Sequence, residues 1–206
     1  MRKLILLAAV CGFFLSASGA FAQQLDVAFG VGTVTAPSAS SASGSYSPQS
    51  LSGGAYPAFS GDVLFFKKQF GINGEVAWRA SQANYIPFQN PFIGPQPYRP
   101  IFFDFNGIWV PQVSKRVAPE LMAGIGGEDV RFYQPFFSCS YFGCTNYTAS
   151  THFMGHFSGG LRLYVFGNFF VRPEAHLYLV HNNFEFSSGR ATRFGVSIGY
   201  SLRPGF

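Results

Sequence analysis

Asp26, Asp62, Glu75, Asp104, Glu120 and Glu174, six of the nine acids in this 206-residue chain, fall on one phase of segments that alternate residue by residue. Arg79, Arg162, Arg172 and Arg203 share that phase. Carboxylates gathered on one face support two kinds of chemistry. A pair with different proton affinities acts as general acid and general base. A set interleaved with guanidiniums forms ion pairs, the condition on which charge is kept away from water.

The elements that must position these residues are strands. Between Phe153 and Leu179 the residues Phe153, Gly155, Phe157, Gly159, Leu161, Leu163 and Val165 make one face, and His156, Ser158, Gly160, Arg162 and Tyr164 the other. After a turn near Gly167 and Asn168, the alternation resumes from Phe169. Period 2 predicts a hairpin, with each strand long enough to cross a bilayer at the usual tilt. The same reading predicts strands over Gln24–Val34, Ala58–Phe66, Phe70–Ala80, Arg99–Val110 and Val117–Tyr133, and a last strand after Gly189. The connections alternate long and short. Ala36–Pro57, Ser81–Tyr98, Gln134–Ser150 and His181–Gly189 are the long loops; Lys67–Gln69, Pro111–Arg116 and Gly167–Asn168 are tight turns. Eight antiparallel strands joined in this way place all long loops at one end. Pro119 and Pro173 predict a bulge or a lost ladder bond where they fall.

The first 22 residues read as an export signal and residues 23–206 as one barrel domain. Arg2 and Lys3 precede the apolar run Leu4–Leu15, and Ala20-Phe21-Ala22 forms a small-residue cleavage motif. Cys11 would make a lipoprotein only with a better lipobox than Ala8-Ala9-Val10. Arg2 and Lys3 supply two of the +5 formal charges, so the basic balance does not imply a nucleic-acid partner. No later stretch is long and apolar enough for a spanning helix. In an exported, oxidising setting Cys139 and Cys144 predict a disulfide, because a zinc site needs about four ligands and none stand nearby.

Alternation does not say which face is outside. Lysine does. Lys67, Lys68 and Lys115 all fall in the short turns and no strand carries one, whereas the wet face of a soluble barrel should carry several. The polar face is rich in Gly, Ser and Ala, which suits a narrow lumen; the apolar face carries Trp78, Trp109, Tyr200 and many phenylalanines. The expected fold is all-β: an eight-stranded antiparallel transmembrane barrel with short periplasmic turns and long extracellular loops.

LMAGIGG at Leu121–Gly127, GGLRLYV at Gly159–Val165, FVRPEAHLYL at Phe170–Leu179, and Phe206 in phase with Leu202 and Tyr200 are the most specific stretches. In these the chain resembles the small outer-membrane β-barrel proteins of OmpA/OmpX type and porin-like outer-membrane β-barrel domains. The resemblance implies a place in the outer membrane of a Gram-negative-type bacterium, among its lipids. It also implies that the terminal aromatic is presented to the barrel-assembly machinery during insertion. His156 and Ser158, with Glu174, are superficially similar to the His-x-Ser dyad and glutamate of outer-membrane lipid A deacylases. In that family an Asn follows the serine; here Gly159 does, and all three residues lie on the inward phase, away from lipid.

Asp62, Glu75, Arg79, Asp104, Glu120, Arg162, Arg172 and Glu174 are therefore expected to form a lumenal ion-pair network, with Glu174 and Glu75 as the main partners of Arg162 and Arg172. Arg99, Arg131, Arg190 and Arg193 are expected at the loop ends, as solvated rim charges or contacts to lipid phosphates. No residue cluster suggests a cofactor, a metal or a nucleic-acid module. The function this implies is a structural or surface-interaction role through extracellular loops, toward a ligand the sequence does not name. A narrow channel for ions or small solutes and a lipid A-modifying enzyme are the alternatives.

Overall fold

The computed structural model describes residues 24–37, 51–65, 67–85, 95–140, 143–183, 186 and 189–202. The expected signal, most of the first long loop, Arg203 and Phe206 lie outside the described residues. The strands are β1 (Gln24–Thr35), β2 (Tyr56–Phe65), β3 (Phe70–Trp78), β4 (Ala83–Tyr85), β5 (Gln96–Trp109), β6 (Val117–Ser140), β7 (Gly143–Phe166), β8 (Phe169–Val180) and β9 (Arg190–Leu202). They form one antiparallel sheet in which consecutive strands pair except β3 with β4, β9 returns to β1, and β3 pairs with β5. That last pairing closes a ring of eight, a fold without open edges in its wall. The short β4 continues past the end of β3, with Ala83 opposite Tyr98.

The barrel is inside-out compared with a water-soluble protein. Phe105 is 75 % exposed and Ile198 63 %, while Arg162, Glu120 and Asp26 are at 1 % or less. A wall of outward phenylalanine, leucine, valine and isoleucine matches hydrocarbon, where a closed ladder can satisfy its backbone groups without water. Inside, the inward residues of β8 run from Phe170 through Arg172, Glu174 and His176 to Tyr178, so a polar belt lies between apolar layers. One layer, at the turn end, contains Leu64, Ile108, Met122, Tyr164 and Phe170. The other, at the loop end, contains Tyr56, Tyr98, Phe102, Tyr178 and Phe186.

The lumen is packed closely enough to specify its small residues. A Cβ on Gly124 would lie 2.0 Å from the Phe105 carbonyl oxygen, and one on Gly199 would lie 2.2 Å from the Phe170 ring. Both prolines are accommodated without a bulge. The β7–β8 register skips Leu161 and Arg162 opposite Pro173 and Arg172, a local loss of pairing, while Pro119 lies beyond the last β5–β6 pair, Trp109 with Leu121.

The expected third long loop, Gln134–Ser150, is largely strand. β6 and β7 each run for 24 residues and form a hairpin that continues to Ser140 opposite Gly143. Alternation fails there because Tyr133 pairs with Tyr147 and Ser138 with Thr145, leaving Gln134, Pro135, Phe136 and Phe137 against Asn146 alone. This bulge breaks the period in sequence while the ladder resumes beyond it. Cys139 and Cys144 pair in register near the tip and are joined by a disulfide.

Candidate functional site

Three guanidiniums organise the belt. Arg162, on β7, donates to Asp26 and to Glu120, and through Nη2 to Asp62 at 2.7 Å. Arg172, on β8, donates from Nε to Glu174 at 2.6 Å, a hydrogen shared with Ser197 at 3.1 Å, from Nη1 to Glu120 at 3.0 Å and from Nη2 to Ser60 at 3.0 Å. Arg193, on β9, donates to Glu75 and lies 3.5 Å from Glu174. Glu120 thus bridges Arg162 and Arg172, and Glu174 bridges Arg172 and Arg193. All three arginines are fully buried, so these charge-assisted bonds take the place of water.

The polar circuit closes on itself. Arg193 also donates to Nε2 of His176 at 2.9 Å, and Nδ1 of His176 meets Nε2 of His156 at 3.0 Å. Nδ1 of His156 meets Oδ1 of Asn106 at 2.8 Å, with Asp104 at 3.2 Å. Asn106 donates to Asn73 at 2.7 Å, and Asn73 to Asp62 at 2.5 Å, which returns to Arg162. A guanidinium only donates and a carboxylate only accepts, so the direction of every bond on this arc is fixed. Each imidazole accepts at Nε2 and donates through Nδ1. With Asp26 on β1, every strand of the barrel ring contributes at least one member.

The sequence assigned depth less well than facing. Arg193 is not a rim residue: it is buried in the belt, because β9 starts at Arg190 and sets Arg193 opposite His176 of β8. Arg79 is not part of the network. It lies past the end of β3, half-buried, with its guanidinium 6.0 Å from the Tyr98 ring. Glu75 is the partner of Arg193 rather than of Arg162 or Arg172. Asp26, Asn73, Asn106 and His176 complete the circuit; their signal was an inward phase between charged residues. Glu128 is also buried, near the loop end, where Asn183 donates to it at 3.1 Å.

Neither catalytic nor metal chemistry is well served here. Both nitrogens of His156 are committed to Asn106 and His176, so no imidazole is left to activate Ser158, whose buried Oγ has no hydrogen-bond partner. Glu75, Glu174 and His176 are near enough to share a metal ion. The Arg193 guanidinium already occupies that place, bonded to two of the three, and a second cation would meet its charge.

At the loop end, Arg99 and Arg131 are register partners on β5 and β6. Arg131 pairs with Asp129 at 3.0 Å and lies 4.9 Å from the Tyr147 ring; Arg99 donates to the Ala80 carbonyl at 3.2 Å and lies 5.9 Å from the Tyr133 ring. Arg190 is exposed at the start of β9.

No family model matches the sequence, and no curated protein matches it. Solved structures do. Neisserial surface protein A is similar with a TM-score of 0.58 at 10 % identity, over 85 % of this chain and 96 % of that one. Ail, the attachment invasion locus protein of Yersinia pestis, solved with the heparin analogue sucrose octasulfate, gives 0.54 at 11 % identity, over 87 % and 98 %. The N-terminal β-barrel domain of Pseudomonas aeruginosa OprF gives 0.51 at 10 % identity, over 88 % and 99 %. The fold is that of the small eight-stranded outer-membrane barrels.

Proposed function

We propose that this protein sits in the outer membrane with its lumen sealed by the arginine–carboxylate circuit, and that it acts through what it holds outside the membrane. The observation that carries the reading is the circuit itself. It joins all eight barrel strands across the lumen, with an apolar layer on either side, so the interior serves as a plug and the loop end is left to do the work. Residues 1–22 direct export, lipid surrounds the apolar wall, and the barrel-assembly machinery inserts it. Arg99, Arg131 and Arg190 stand at the level where lipid phosphates would meet them. The β6–β7 hairpin is the longest element at that end and the natural contact for an extracellular ligand.

The test combines two measurements on one protein. Reconstituted in planar bilayers, it should give no stable single-channel steps. Cells expressing it should adhere to a surface that cells lacking it do not, and replacing Gln134–Asn146 by a short turn should abolish that adhesion. Stable conductance, or adhesion that survives loss of the hairpin, would refute the reading.

A further inference from the structure

The β6–β7 hairpin outgrows both of its neighbours. β5 pairs with β6 only as far as Tyr98 with Phe132, and β8 pairs with β7 only as far as Met154 with Val180. Beyond those points, apart from one bond from the His181 N–H to the Phe153 carbonyl, the two strands pair only with each other among the described residues. From Met154 to the tip at Gly143 the ribbon extends roughly 35 Å at the usual strand rise, enough to clear a headgroup layer.

The two edges of this ribbon differ. The β6 edge is interrupted by the bulge at Gln134–Phe137 and by Pro135, which has no N–H to give; both are devices that keep another strand away. The β7 edge from Cys144 to Ala149 has neither proline nor bulge, and it is extended throughout. It also lacks the third safeguard, because no Asp, Glu, Lys, Arg or His occurs anywhere from Phe132 to Thr151. The two strands of the ribbon are tied together on both sides of the bulge. The disulfide Cys139–Cys144 clamps the tip, and at the base Gln134 donates to Thr148 at 3.1 Å while the Tyr133 and Tyr147 rings pack 6.0 Å apart.

A row of backbone N–H and C=O groups is matched by one kind of surface, another extended strand. Absence of charge narrows the choice further. A charged strand set beside its own copy suffers like-charge repulsion; Cys-Thr-Asn-Tyr-Thr-Ala does not, and cross-strand Thr and Tyr contacts favour it. We propose that two copies of the protein associate through this edge, β7 of one pairing with β7 of the other to make a four-stranded sheet. A two-fold axis that pairs a strand with its own copy makes the pair antiparallel. The two barrels then lie at opposite ends of the shared sheet, so the contact joins two facing membranes rather than two neighbours in one. The inference rests on the reading that the hairpin stands outside the membrane, and it names the partner as a second copy of this chain.

The test uses the whole protein, as wild type and as the double variant Asn146→Lys, Thr148→Lys, with circular dichroism checking that both form the barrel. Lysines on the edge set like charges against each other across the two-fold. Wild type should sediment as a concentration-dependent dimer in detergent, and vesicles carrying it should cluster. The variant should stay monomeric and its vesicles dispersed. A wild type that stays monomeric with dispersed vesicles, or a folded variant that clusters equally well, would overturn the proposal. Protease shaving of intact cells separates the two levels. If the hairpin is cleaved but vesicles do not cluster, self-association alone fails; if the hairpin is protected, the outward placement beneath it fails too.

Discussion

Arg193 donates from Nη2 to Nε2 of His176 at 2.9 Å, and that single contact sets the direction of every hydrogen bond from there to Asp62. Because the guanidinium can only give, His176 must accept at Nε2 and pass its own hydrogen from Nδ1 to His156. Nitrogen NMR of the two imidazoles should therefore find hydrogen on Nδ1 and a bare Nε2 in both. Hydrogen on Nε2 of either ring would contradict the arrangement.

Removal of a central arginine should be costly. Arg172 holds Glu120 and Glu174 at 3.0 and 2.6 Å, and losing one partner of a buried pair typically costs about 3–5 kcal/mol because the other charge is left uncompensated. Arg172→Ala should lower the urea midpoint in lipid vesicles markedly, and Arg162→Ala at least as much, since three carboxylates depend on it. Arg190→Ala, at the exposed rim, should change it little. Equal midpoints for Arg172→Ala and Arg190→Ala would show that the belt does not stabilise the barrel.

The glycines of the wall make a second contrast. Gly124→Ala puts its methyl 2.0 Å from a backbone oxygen that cannot move away, whereas on Gly155 the nearest atom is 3.9 Å distant. Overpacking of this kind costs about 1–3 kcal/mol, so Gly124→Ala should fold in lower yield and melt earlier, and Gly155→Ala should behave as wild type. Folding yield from urea into lipid, read by gel mobility, checks it.

The disulfide should act locally. Closing so short a loop contributes roughly 2 kcal/mol in the chain-entropy model, and the bond lies at the tip of a ribbon without neighbours among the described strands. Reduction should speed hydrogen exchange from Tyr133 to Thr148 and leave the barrel midpoint unchanged. The unreduced mature protein should show no titratable thiol.

The barrel was legible in the sequence because its signal is local. Phe70 to Trp78 alternates cleanly, and the lysines at 67, 68 and 115 mark the turns. Depth along the lumen was not, since it depends on the stagger between strands. His176 opposite Arg193, or Glu75 opposite Asp104, follows from register alone and leaves no mark on either segment. The long hairpin was hidden for a related reason. Gln134, Pro135, Phe136 and Phe137, four residues against one, look like loop in one dimension, and only the resumed pairing of Ser138 with Thr145 shows that the ladder continues.

The belt also has a consequence for biogenesis. Its members come from every strand, the first and the last included: Asp26 on β1 receives a hydrogen from Arg162 on β7, and Arg193 on β9 reaches Glu75 on β3. A sheet short of its final strand would keep Arg172 beside Glu174 but carry Glu75 without Arg193, and such a charge is tolerated in hydrocarbon only when matched. Proofreading is thus written into the interior, because a half-closed intermediate is penalised until the seam between β1 and β9 forms. Arg193→Met would leave Glu75 unmatched even after closure, so closing the seam would gain nothing there; the variant should accumulate unclosed, protease-sensitive chains during insertion, whereas Arg131→Met at the rim should close on time.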